Sequence, residues 1–150
     1  MDSLKLKPVL IKVLAIVYLQ IILIVAFRPL IVNFTNIRAG FNSEFGSLNH
    51  AITLYNRVLF LDKDNLEALT MCGYVYQDLF QDDIAAEYYK KAIKYHPDNC
   101  DGYYFYSLLL MREQATHKQA MEILKRAVNF EGSYQNNIQK ILKKIKSQSI

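Results

Sequence analysis

The sequence predicts an all-α protein: an N-terminal transmembrane helix, then a solenoid of about three helical hairpins, then a C-terminal capping helix. Three observations lead to this fold. Residues 13–27 carry no charged side chain. Downstream of them, small and aromatic residues recur at intervals of 34 or 35 positions. The last stretch of the chain places apolar residues on one helical stripe.

The composition indicates a globular or membrane protein rather than a disordered one. Hydrophobic residues make up 52% and charged residues 21% of the 150 positions. The net charge of +4 comes from lysines near the two ends of the chain and forms no nucleic-acid footprint. The two cysteines, Cys72 and Cys100, form no CxxC motif, so free thiols and a disulfide both stay open.

Residues 8–32 are interpreted as a single-pass membrane anchor, preceded by a short flank of residues 1–7. A helix of about 20 residues spans the roughly 30 Å of a bilayer's hydrocarbon core. Lys12 lies near the start of the segment, where its side chain can reach the headgroups. A buried helix of a soluble core is disfavoured because no polar face exists between Val13 and Phe27.

A cleaved signal peptide is the competing interpretation, and it would yield a secreted form. Lys5 and Lys7 would be its basic region. The apolar stretch is long for such a peptide, and no small-x-small cleavage site follows closely behind Arg28. Three basic residues before the uncharged residues 13–27 and two after them slightly favour the N-terminus on the cytoplasm-like side.

The downstream repeat predicts helices that cross at close range. Small residues are needed where two backbones approach, and large residues fill the space beside them. Pro97 removes a backbone donor and ends one unit, after which Asp98 or Asn99 can cap the next helix. Two repeat units, residues 66–99 and 100–133, follow this pattern most fully. The residues expected to pack at their helix crossings and to end the first unit are Leu69, Gly73, Tyr76, Ala85, Tyr89, Ala92, Pro97, Tyr103, Ser107, Ala120, Leu124 and Ala127.

This pattern resembles the tetratricopeptide repeat (TPR). Residues 66–99 match nearly the whole pattern, with Cys72 where Leu is usual. Residues 100–133 match with one extra residue in the inter-helix turn and Gly132 in place of Pro. Residues 33–65 form a degenerate first repeat, and residues 134–150 form a basic capping helix, because solenoid ends need a cover.

No catalytic constellation is found, so we expect neither an enzyme nor a cofactor, metal or small-molecule site. His50, His96 and His117 lie in different repeat contexts, and no metalloprotease or phosphate-loop motif occurs. Asp82 and Asp83 fall in the turn between two helices and are expected to cap the second.

The TPR resemblance implies a concave groove lined by the first helix of each hairpin. A groove with aromatic and apolar anchors amid acidic rims suits a peptide or helix with basic flanks. The positions that carry such a groove are here Glu67, Thr70, Tyr74, Gln77, Asp78, Asp101, Tyr104, Leu108, Met111 and Arg112. The chaperone-binding subset of the family uses Lys, Asn and Arg at such positions to clamp a C-terminal carboxylate. Because Thr70, Tyr74 and Tyr104 stand here instead, no carboxylate clamp is expected.

The predicted function is a membrane-anchored scaffold for protein–protein interaction. The layout resembles the small thylakoid TPR proteins of cyanobacteria and algal plastids, which implies photosystem I subunits or assembly intermediates as partners and a thylakoid or plastid membrane as location. Two other functions stay open. One is an import-receptor or envelope-assembly protein that binds a peptide or amphipathic helix. The other is a non-catalytic regulatory subunit of an enzyme complex.

Overall fold

The computed structural model describes residues 3–45, 47–112 and 116–148. Within these residues the chain forms seven helices and no β-strand. The helices are α1 (Ser3–Phe45), α2 (Leu48–Leu61), α3 (Leu66–Asp78), α4 (Asp82–Tyr95), α5 (Cys100–Leu110), α6 (His117–Ala127) and α7 (Gln135–Gln148). The chain divides into two compact units, Met1–Phe34 and Thr35–Ile150.

The first unit consists of the apolar part of α1. All side chains from residue 10 to residue 31 are exposed. A segment of 34 residues, Leu10–Ser43, has a mean hydropathy of 2.7 in its most apolar window and is long and apolar enough to cross a membrane. A segment that crosses a membrane has to be helical or part of a closed barrel, because every backbone donor and acceptor must be satisfied internally in hydrocarbon.

The boundary predicted between residues 32 and 33 falls inside α1, which continues without interruption to Phe45. Pro29 removes one backbone donor, a loss that transmembrane helices tolerate, and it does not end this helix. The last turns of α1 belong to the second unit. Asn36 and Ala39 are buried there. The Asn36 amide donates to Asn65 Oδ1 at 3.2 Å and to Glu67 Oε2 at 3.0 Å.

Helices α2 to α7 pack successively. Helix α3 lies against both α2 and α4, α5 lies against α4 and α6, and α7 covers α6 and the edge of α5. One core cluster contains Ala85, Tyr89, Phe105 and Leu109, where α4 meets α5. A second contains Cys100, Tyr103, Leu124, Ala127 and Ile138, where α5, α6 and α7 meet. The lysines of α7 are exposed while Ile138 is fully buried, so α7 caps the array.

Two glycines lie where helices approach most closely. A Cβ atom at Gly73 would lie 2.7 Å from Cδ1 of the fully buried Tyr89, so α3 can cross α4 only with glycine at this point. A Cβ atom at Gly102 would lie 3.1 Å from the Cβ of Ala92, where α5 approaches the end of α4. The repeat pattern predicted a small residue in each of these contacts, Gly73 in the first and Ala92 in the second.

The helix starts use asparagine side chains. Asn65 Oδ1 accepts from the Ala68 N–H at 3.0 Å, and Asn99 Oδ1 accepts from the Asp101 N–H at 2.9 Å. The capping role expected of Asp82 and Asp83 is wrong. Gln81 occupies the N-cap position of α4 and makes no side-chain cap hydrogen bond. Asp82 is already the first helical residue.

Both cysteines are free and buried. Burial raises the pKa of the Cys72 thiol to about 12. Burial, together with the neighbouring Asp101 carboxylate, raises the pKa of the Cys100 thiol to about 11. Neither thiol is ionised at neutral pH, so both pack in the core as small side chains, and the Cys100 thiol is also a weak donor to Asp101 Oδ1.

Candidate functional site

A cavity of about 610 Å³ lies among helices of the second unit. Its wall comes from the end of α1, from α2, from the first half of α3, from the start of α5 and from the two residues before α7. The lining residues are Gly40, Ser43, Tyr55, Leu66, Glu67, Thr70, Met71, Asn99, Asp101, Ser133 and Tyr134. We call this space the central cavity.

The central cavity brings together three of the ten predicted groove residues: Glu67, Thr70 and Asp101. Glu67 is exposed and holds the Asn36 amide through one carboxylate oxygen. Thr70 is buried, and its hydroxyl is directed at the carbonyl oxygen of Leu66, 2.9 Å away. Its hydrogen is therefore used within α3, and the hydroxyl can only accept from a ligand.

Asp101 has a structural and an electrostatic role in the same wall. Its Oδ1 accepts from the Tyr134 N–H at 3.1 Å and lies 3.5 Å from the Cys100 thiol. These donors hold the carboxylate at the start of α5, where the helix dipole also favours a negative charge. With Glu67, Asp101 gives the cavity two carboxylates, and no lysine or arginine is among the described residues that line it.

An aromatic cluster adjoins the central cavity and contains two further predicted groove residues. Tyr104 stacks on Tyr134 with ring centroids 4.5 Å apart. Phe105 meets the edge of Tyr134 at 4.8 Å and that of Tyr74 at 6.4 Å. Tyr74 is exposed at 42%. The four rings thus pack in succession from α3 across α5 to the start of α7, with Phe105 buried and Tyr74 exposed.

The structure places the remaining five predicted groove residues elsewhere. Gln77 accepts the Tyr89 hydroxyl at 3.0 Å, and Asp78 is exposed at the end of α3. Leu108 is half-buried on α5. Met111 lines a second, mostly apolar cavity of about 540 Å³ with residues of α6 and α7.

Arg112 does not reach the central cavity's lining but joins two repeats. Its guanidinium donates to Asp82 Oδ1 at 2.8 Å, and it lies 5.9 Å from the ring centroid of Phe80. Phe80 has a positive φ of 58° in the turn between α3 and α4. Asp82 therefore forms an ion pair with Arg112, whereas the sequence predicted that it would cap α4.

Several lining residues were not predicted from the sequence, and two of them carry a usable signal. Tyr134 stands 34 positions after Cys100 and 68 after Leu66, at the first position of the repeat. Leu66 and Tyr134 both line the central cavity. Extending the period by one more step would have identified Tyr134. Tyr55 stands 34 positions before Tyr89 and so carries the period as well. Ser43 has no such signal, because α1 forms the irregular part of the array.

Within the described part of the chain, no three His, Cys, Asp or Glu side chains converge to hold a metal ion. The side chains that line the central cavity present carboxylates, hydroxyls and aromatic rings. Such a lining can accept hydrogen bonds from a bound segment and pack against its apolar side chains.

Comparison with known proteins gives structural neighbours only. No protein-family profile matches the chain. No curated protein matches it either. The TPR domain of Sgt2 from Aspergillus fumigatus superposes with a TM-score of 0.63 at 17% sequence identity, covering 79% of this chain and 80% of that one.

A crystal structure of MamA superposes with a TM-score of 0.52 at 26% identity and covers 60% of this chain. The match spans about half of the MamA chain, 52% of it. The similarity to Sgt2 concerns the fold alone, since the identity is low. Together with the succession of helices, these neighbours show that residues downstream of the apolar helix adopt a TPR-like fold, the architecture of protein-interaction scaffolds.

Proposed function

We propose that this protein is a membrane-anchored, non-catalytic scaffold that binds a segment of a partner protein in the central cavity. The observation that carries the proposal is the convergence of Glu67, Thr70 and Asp101 in one cavity. The aromatic cluster that contains Tyr74 and Tyr104 adjoins it. An extended or helical segment of a partner can fill such a groove, with an aromatic or aliphatic anchor on the rings.

The charge of the cavity favours a basic segment. Two carboxylates line it without a lysine or arginine among the described lining residues, so a guanidinium or ammonium group would find acceptors and no like charge. Asp101 is 9% exposed and Glu67 is exposed, so the pair covers both the floor and the rim of the cavity. Such complementarity selects partners mainly by excluding acidic segments.

Glu67→Gln is expected to reduce partner recovery about tenfold, since one charge-assisted hydrogen bond is lost while the amide still accepts from Asn36. Asp78→Asn is the matched control, because it removes the same charge from the same helix at an exposed residue outside the described cavity lining. The measurement is affinity capture of the tagged full chain from detergent-solubilised native membranes, with quantitative mass spectrometry. Equal losses in both variants would contradict the proposed site.

The anchor is proposed on the length and hydropathy of α1. If α1 spans a bilayer, alkaline carbonate washing leaves the protein in the membrane pellet. Release into the supernatant would contradict the anchor. Tethering raises the effective concentration of the repeats near membrane partners, so that weak binding in the cavity suffices.

Photosystem I assembly is the specific role proposed from the resemblance in layout to small thylakoid proteins. This part of the proposal rests on the layout, and the structural neighbours add no support to it. Recovery of photosystem I subunits with the wild-type chain, and their loss with Glu67→Gln, would support the role. Recovery of translocase or envelope components would contradict it and favour an import or envelope-assembly scaffold.

A further inference from the structure

Gln20 is the only carboxamide side chain between the two charges that flank the most apolar part of α1. Lys12 precedes it by eight residues and Arg28 follows it by eight. With a rise of 1.5 Å per residue, each charge lies about 12 Å from Gln20 along the helix axis. In the proposed membrane anchor, the two flanking charges reach toward opposite headgroup layers. The Gln20 amide then lies at the middle of the hydrocarbon.

The Gln20 amide has no partner among the described residues. Its side chain is exposed, like every side chain from residue 10 to residue 31, and no hydrogen bond or ring contact involves it. A carboxamide carries two N–H donors and an acceptor oxygen. Water can satisfy these groups at a protein surface, but the centre of a bilayer holds none, so the partner must come from another membrane helix.

The residues around Gln20 form one continuous stripe on α1. Val13, Gln20 and Phe27 are spaced seven residues apart, and Ile16 and Leu23 lie between them at the complementary positions of the same repeat. Seven-residue spacing with apolar side chains at two positions is the pattern by which two helices pack side chain into side chain. We call these five residues the Gln20 stripe.

We propose that the Gln20 stripe is a self-association surface, through which α1 pairs in parallel with α1 of a second copy of this chain. A carboxamide is self-complementary, because the N–H of one copy can donate to the oxygen of the other. In a two-fold symmetric parallel pair, Gln20 necessarily faces Gln20 when the stripe lies at the interface. A single polar residue at such a position fixes the register of the pair, since any shift would leave both amides in hydrocarbon.

A second copy fits this surface better than an unrelated helix does. The stripe supplies donor and acceptor at one level, so in a two-fold pair each Gln20 carboxamide donates one N–H to the other copy and accepts one from it at the midplane. The inference rests on the proposed membrane anchor, because only a bilayer removes water from Gln20.

The test is sedimentation equilibrium of the full chain in density-matched detergent micelles. The wild-type chain is expected to form dimers, and Gln20→Leu is expected to weaken dimerisation about tenfold while keeping the helix apolar. Gln20→Asn keeps a self-complementary amide and is expected to retain most of the association. Ile22→Ala is the matched control, because Ile22 lies on the opposite side of α1 and is also exposed.

Two results would overturn the pairing. One is a wild-type chain that stays monomeric over the whole concentration range. The other is equal dimer affinity in wild type and Gln20→Leu. If that monomeric wild type captures a different membrane protein through Gln20, the stripe binds that protein instead of a second copy. The carbonate wash separates these failures from failure of the anchor: a chain retained in the pellet but monomeric in micelles keeps the anchor and loses the pairing.

Discussion

Gly73→Leu is expected to lower the free energy of unfolding of the repeats by about 3 kcal/mol, the upper part of the range for overpacked cores. There is no space even for the first side-chain atom, because a Cβ at this position would lie 2.7 Å from Cδ1 of Tyr89. Tyr89 cannot move aside easily. It is fully buried, stacks on Phe105 at 5.8 Å, and donates its hydroxyl hydrogen to Gln77.

The measurement is urea unfolding of the full chain in detergent, followed by near-ultraviolet circular dichroism of the tyrosines. Ten of the 11 tyrosines lie downstream of the apolar helix, so the signal reports on the repeats. Gly73→Ala should lose less than Gly73→Leu, since alanine adds only the Cβ atom and gains about 1 kcal/mol in helix propensity over glycine. Gly40→Ala is the control. Its Cβ would lie 3.7 Å from the Tyr55 hydroxyl, so stability should stay equal or rise. Equal behaviour of Gly73→Ala and Gly40→Ala would place the α3–α4 crossing elsewhere.

The helical array was predictable because close crossings impose a chemical requirement at fixed sequence positions. Gly73 has to be small because the Tyr89 ring occupies the place of a side chain. Ala92 has to be small because Gly102 approaches it. Such requirements recur at every hairpin, so the period appears in the sequence. The prediction of an all-α fold with a long apolar N-terminal helix and a TPR-like array is confirmed.

The junction between the apolar part of α1 and the first repeat was not predictable in the same way. Its helix is continuous through residues 32 and 33, and its final turns pack through a buried Asn36 rather than through large apolar residues. The partners of Asn36 are Asn65 and Glu67, 29 and 31 positions away. A polar contact of this kind has no period and leaves no local pattern in the sequence.

The side-chain positions in the predicted groove were also only partly predictable from the sequence. Family positions indicated which residues belong to the first helix of each hairpin, but the direction of each side chain depends on neighbours in other repeats. Arg112 is drawn to Asp82, 30 positions away, and Met111 packs toward α6 and α7. Thr70 and Asp101 lie in the central cavity because α1 and the residues before α7 complete its wall.

Gly132→Ala is the second substitution for which we expect a large loss, about 2–3 kcal/mol in the free energy of unfolding. Gly132 has a φ of 152°, a conformation that residues with a side chain rarely adopt. A Cβ there would also lie 2.6 Å from Cys100 Sγ and 3.0 Å from Asn99 Oδ1. The added Cβ therefore causes both backbone strain and steric overlap. It does so where the chain leaves α6 and returns to the start of α5.

Hydrogen exchange can locate this effect, because two amide hydrogens depend on the close approach at Gly132. The Cys100 N–H donates to the Glu131 carbonyl oxygen at 2.8 Å, and the Tyr134 N–H donates to Asp101 Oδ1 at 3.1 Å. Gly132→Ala should accelerate exchange at both amides more than at the amides of α3. Ser133→Ala, at an exposed neighbouring residue, should change neither exchange nor stability. Because Ser133 and Tyr134 line the central cavity, Gly132→Ala should also reduce partner capture. Unchanged exchange at both amides with lowered global stability would show that the strain is absorbed elsewhere and that this loop does not hold the wall of the cavity.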